Sequence, residues 1–95
     1  MPKRILIADD EPTVVALAQQ KLQAQGYVVE TARNGKEAWD IIQTSLVDLV
    51  VTDVVMPVMD GVDLYKEIKK TPRLANIPIV IITDSRIFRE SFQTL

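Results

Sequence analysis

At 95 residues, with 47% apolar and 25% charged side chains, the chain has the makeup of one soluble globular domain, 1–95, because a single core can form at this length and a second cannot. It contains no cysteine and no histidine, which excludes disulfides, thiolate or imidazole metal sites and imidazole catalysis; any metal must be a hard cation held by oxygen. A formal charge of −2 argues against a nucleic-acid footprint, and the apolar runs are too short for a bilayer span or a signal peptide, so a cytoplasmic location is the expectation.

Two periodicities alternate along the chain. "RILIA" (4–8) predicts a first strand, and residues 12–25 a helix with Val14, Leu17, Ala18 and Leu22 on one face and Gly26 as its stop. "YVVETA" (27–32) predicts the second strand; after an Asn34-Gly35 turn, residues 35–46 repeat the helical pattern with Ala38, Ile41, Ile42 and Leu46. "VDLVVTD" (47–53) is the third strand, followed by a helix over 61–70 that presents Val62, Tyr65 and Ile68, with Asp60 as N-cap and Thr71-Pro72 as the stop. Lys66, Lys69, Lys70 and Arg73 form a short basic cluster that fits a solvated helix end. "IPIVIIT" (77–83) is the fourth strand, and "DSRIFRESFQTL" (84–95) carries Ile87, Phe88, Phe92 and Leu95 near helical spacing.

This order calls for a doubly wound parallel α/β sheet, in which function gathers at the carboxyl ends of the strands. Asp9 and Asp10 close the first strand and Asp53 the third. If those strands are neighbours, three carboxylates share one space, and their repulsion raises proton affinity unless a cation sits among them. Magnesium meets that demand, so Asp53 is a candidate for a metal-assisted phosphoryl site. Plainer readings stand beside this one. Asp9-Asp10 ahead of Glu11-Pro12 also suits a helix N-cap; "MPVMDG" is a turn with a cap; Thr83 can be an ordinary strand residue; and Trp39, Tyr27 and Tyr65 cover or border core.

"ILIADDEP", "LVVTDVVMPVMDG" and "IPIVIIT" together resemble the receiver domain of two-component response regulators, in register from about residue 3 to residue 83. The resemblance implies a flavodoxin-like sheet of order 2-1-3-4. It also implies a regulatory phosphoacceptor, not an enzyme, that takes a phosphoryl group on Asp53 from a histidine kinase or phosphotransfer protein. Mg2+ would be bound by Asp10, Asp53 and the backbone carbonyl of Val55, with Asp9 supporting, and Thr83 would hydrogen-bond the phosphoryl group and act in the switch. No nucleic acid or membrane is an expected direct partner. Pro57 and Gly61 are expected to shape the turn beneath the site.

The pattern departs from the family in two ways. The family's fifth strand, with its lysine and aromatic switch residue, and its fifth helix are not found before Leu95, so the chain reads as truncated, and Arg86 is not taken as a replacement for the lysine. Asp84 stands where most members have a small residue, and its charge would repel a phosphoryl dianion. A missing fifth strand leaves residues 79–82 as a sheet edge, through which, or through the terminal helix, self-association is expected. Alternatives are a degenerate receiver acting only as an interaction or dimerisation module, and an aspartyl-phosphate phosphatase of the haloacid dehalogenase class. The latter wants a second acid two residues after the nucleophile, where Val55 stands. A flavodoxin-like nucleotide binder lacks its glycine-rich loop.

Overall fold

The computed structural model describes residues 2–83 and Arg86–Ile87. The elements run β1 (Arg4–Ala8), α1 (Pro12–Ala24), β2 (Val28–Ala32), α2 (Gly35–Thr44), β3 (Leu49–Asp53), α3 (Gly61–Lys70), β4 (Ile79–Thr83) and β5 (Arg86–Ile87). The first four strands are parallel in the order β2-β1-β3-β4, the flavodoxin-like topology that the alternation predicts. Among the described residues, no helix is long and apolar enough to cross a membrane.

Local chemistry sets the helix ends. The Asn34 side chain accepts from the Glu37 N–H at 2.8 Å while the Glu37 carboxylate accepts from the Arg33 N–H at 2.9 Å, so α2 opens with reciprocal capping, where the sequence suggested only a turn. Asp60 caps α3 as expected, accepting from the Asp63 N–H at 2.8 Å. Gly26, at φ +95°, ends the α1 segment in a conformation that a side chain would disfavour. At the far end of α3, Lys69 donates to the Ala75 carbonyl at 2.8 Å and Lys70 pairs with Glu67 at 2.8 Å, so these members of the basic cluster serve a helix terminus.

The two faces of the sheet are unequally covered. Leu6, Val50 and Ile81 are fully buried against Ile42 of α2 and Leu64 and Ile68 of α3, in one continuous core. Ile5 and Ile7 point to the other face, beneath α1, a helix with no fully buried residue. The expected face of α1 is only partly covered: Ala18 and Leu22 are half-buried, as is Val15, and Val14 and Ala18 face the sheet across a cleft, but Val14 and Leu17 remain 45% and 54% exposed. Apolar residues spread around this helix, so periodicity does not fix how far each is covered. Leu46, expected on the core side of α2, lies past the helix end and is 86% exposed, whereas Leu64, not picked out by the pattern, is buried.

The expected helix over 84–95 is corrected where it is described. Arg86–Ile87 is extended and antiparallel to β4, with Ile82 opposite Ile87 and Thr83 opposite Arg86. An edge strand offers a row of unpaired backbone groups, and a following segment can satisfy them by turning back. The edge at 79–82, expected to be bare, is therefore paired at Ile82. Residues 84–85 and 88–95, including Asp84, Phe88, Phe92 and Leu95, lie outside the described residues.

These burials separate two leucine-like positions that share a helical pattern. Ile42→Ala should cost about 3 kcal/mol of unfolding free energy through the cavity it opens, and Leu46→Ala less than about 0.5 kcal/mol, as measured by urea denaturation.

Candidate functional site

The site follows from strand pairing. β1 lies beside β3 with Ala8 opposite Thr52, so residues leaving β1 and the last residue of β3 emerge at the same edge. There Asp9, Asp10 and Asp53 each offer a carboxylate oxygen, and these atoms lie within 4.8 Å of one another. Asp10 is exposed, and Asp9 and Asp53 are half-buried. The Asp9 backbone N–H donates to the Ala32 carbonyl at 3.0 Å, and its Oδ1 accepts from the Glu11 N–H at 2.9 Å, which fixes the carboxylate beside the start of α1. The capping alternative for the acidic pair is not what forms. Glu11 is the N-cap residue, α1 has no side-chain cap, and Pro12 opens the helix with its preset φ.

Asp53 is held from its own strand end. Its Oδ1 accepts from the Val54 N–H at 2.8 Å, which restricts rotation of the carboxylate. Burial is the first cause that raises its pKa above the ordinary 3.8, the Asp9 and Asp10 charges add to it, and the N–H groups of Val54 and Val55 oppose it. A cleft of about 170 Å³ runs from Asp9 and Asp53 down between Val14 and Ala18 of α1 and Val51 and Ile82 of the sheet.

The donor set fits a hard divalent cation. It consists of clustered carboxylate oxygens in a chain without histidine or cysteine, and their crowding penalises the metal-free anionic state. The sequence-predicted residues Asp9, Asp10 and Asp53 are brought together. Val55 follows two residues after Asp53 in the loop, with its side chain 72% exposed. The Thr83 backbone ends β4 one residue beyond the pair formed by Asp53 and Ile82; its side chain lies outside the described residues.

The loop between β3 and α3 builds the turn beneath the site that was expected at Pro57 and Gly61, and adds a strained Val58 and a contact to Gly35 that the sequence does not display. Gly61 donates to the Val54 carbonyl at 2.8 Å, and a Cβ there would run into the Asp53 carbonyl, a close approach that requires glycine. Val58 has φ +70° and lies inside a tight turn closed by the Met59 N–H on the Pro57 carbonyl at 2.7 Å, a strained geometry for a β-branched residue. The Met59 carbonyl in turn accepts from the Gly35 N–H at 2.8 Å. The "NG" of Asn34-Gly35 was visible, but nothing in one sequence shows that it meets residue 59.

The model of the response regulator receiver domain family matches residues 5–93. The chain is 40% identical over 80 residues to a gliding motility regulatory protein of Myxococcus xanthus, covering 84% of this chain and 10% of that protein. It is 39% identical over 83 residues to an alkaline phosphatase synthesis transcriptional regulatory protein of Bacillus subtilis, covering 87% of this chain and 34% of that one. The chain thus spans about a third or less of the length of these curated relatives. A response regulator from Thermotoga maritima, solved in complex with Mg2+ and BeF, superposes with a TM-score of 0.73 at 38% identity, covering 85% of this chain and 67% of that chain.

Two outcomes follow from the site's strain and charge. A carboxyl with a raised folded-state pKa binds more protons folded than unfolded, so without metal the penalty is absent below its ordinary value of 3.8, grows as pH rises through the folded pKa, and is full at neutrality. Asp53→Asn should therefore raise the metal-free Tm at pH 7, with the gain vanishing near pH 3. Val58→Gly should stabilise by about 0.5–1 kcal/mol in thermal unfolding, because relief of the positive φ outweighs glycine's added chain entropy.

Proposed function

The chain belongs to the response regulator receiver domain family, and from this premise we propose that it accepts a phosphoryl group on Asp53 from a phosphohistidine of a partner kinase or phosphotransfer protein. A receiver is a regulatory domain, consistent with two-component signalling. The observation that carries the finer reading is the convergence of Asp9, Asp10 and Asp53 within 4.8 Å at the carboxyl edge of the parallel sheet. In this reading Asp10, Asp53 and the Val55 carbonyl hold Mg2+, Asp9 supports them, and Thr83 meets the phosphoryl group. The Thermotoga maritima regulator, crystallised with Mg2+ and BeF, supports this ligand class for a related fold.

The chemistry asks little of side chains beyond position and charge. Asp53 attacks as the carboxylate: an oxygen–phosphorus bond forms, the phosphorus–nitrogen bond of the donor breaks, and the leaving imidazole nitrogen keeps the electron pair and regains a proton from solvent. The Val54 N–H on Oδ1 orients the attacking group, and half-burial limits water around it. When bound, Mg2+ neutralises charge on the carboxylates and the incoming phosphoryl oxygens. No histidine is needed on this chain, because the donor supplies it.

Incubation with Mg2+ and acetyl phosphate should add one phosphoryl group to the intact mass, and Asp53→Ala should add none. Asp10→Ala should weaken Mg2+ binding about tenfold or more, read by calorimetric titration. A folded parent chain that gains no mass and binds no Mg2+ would instead make this receiver an interaction module.

A further inference from the structure

The loop that follows Asp53 is held from outside by a residue in a different βα unit. Gly35 begins α2, where a helix leaves its first N–H groups without internal partners, and it directs its N–H at the Met59 carbonyl, 2.8 Å away. A Cβ at position 35 would sit 2.5 Å from that oxygen and 2.8 Å from the Met59 Cγ. Contact this close admits only glycine unless the loop moves.

The loop has little slack with which to absorb such a movement. Pro57 has a fixed φ, Val58 already sits at φ +70°, and the Met59 N–H closes the turn on Pro57. A displaced Met59 therefore passes its shift on to Gly61, two residues along. Gly61 is bonded to the Val54 carbonyl at 2.8 Å and packs against the Asp53 carbonyl without room for a Cβ. The path from Gly35 to Met59, and along the backbone to Gly61, ends on the Asp53 and Val54 carbonyls, which belong to the peptide groups joining Asp53 to Val55.

We propose that Gly35 is a positioning residue for the cation site: its N–H latches the strained Met59 turn and so fixes the aim of Asp53 and Val55, although it touches no ligand itself. The inference rests on the metal-assisted reading above. Because coupling is reciprocal, a cation that stabilises the aimed loop must also stabilise the latch.

The test uses Mg2+ alone, without a phosphodonor. Gly35→Ala should raise the Kd for Mg2+ at least about fivefold with all three carboxylates intact. Val47→Ala, a core cavity at the opposite end of the sheet, should lower the Tm yet change the Kd less than about twofold. In the unsubstituted chain, saturating Mg2+ should slow hydrogen exchange at the Gly35 amide by at least about fivefold, a readout that does not depend on the variant folding. A Gly35→Ala Kd within twofold of the parent, an equal loss of affinity in Val47→Ala, or a Gly35 exchange rate indifferent to Mg2+ would each overturn the latch. Absence of Mg2+ binding in the unsubstituted chain would overturn the reading on which it rests.

Discussion

The parallel pairing of β1 with β3 is the constraint on which the site depends. Setting Ala8 beside Thr52 brings the ends of two strands that are distant in sequence to one edge, and the acids that follow or close them meet. No hydrophobic gain rewards that meeting. Burial and mutual repulsion raise the proton affinity of Asp53, and the sheet tolerates this because Leu6, Val50, Thr52 and Ile81 bury completely in the same strands. The core supplies the stability, and the edge converts part of it into poised charge.

The sequence displays this arrangement unevenly. Strand and helix order was legible because runs such as "RILIA" and "LVVTD" are apolar on both faces and the intervening segments change period. The acidic cluster was legible once the parallel order was, since strand ends fix where Asp9, Asp10 and Asp53 go. The degree to which α1 is buried was not: Val14, Val15, Leu17 and Ala18 crowd its surface, and only the packing decides how far each is covered. Leu46 misled because it continues the helical spacing past the point where α2 stops at Thr44.

Contacts that cross between βα units form a further group that the sequence hides. Asn34-Gly35 and the Met59 turn are each recognisable as turns, but their meeting is a matter of three-dimensional register. The extended Arg86–Ile87 segment belongs here too. Its spacing suits a helix, yet the backbone groups along β4 are a competing partner that no helical pattern records.

The unequal cover of the sheet has a mechanical consequence. Asp53 is rooted in a strand whose inner residues are clamped under α2 and α3, while Asp9 and Asp10 sit at the joint with α1, which buries no residue fully. The acidic corner thus joins a layer with fully buried helix residues to one whose helix has none. An ion held at that corner would tie the sparsely buried helix to the well-covered layer opposite, so that charge chemistry at one point would bear on how a whole flank of the sheet is attached.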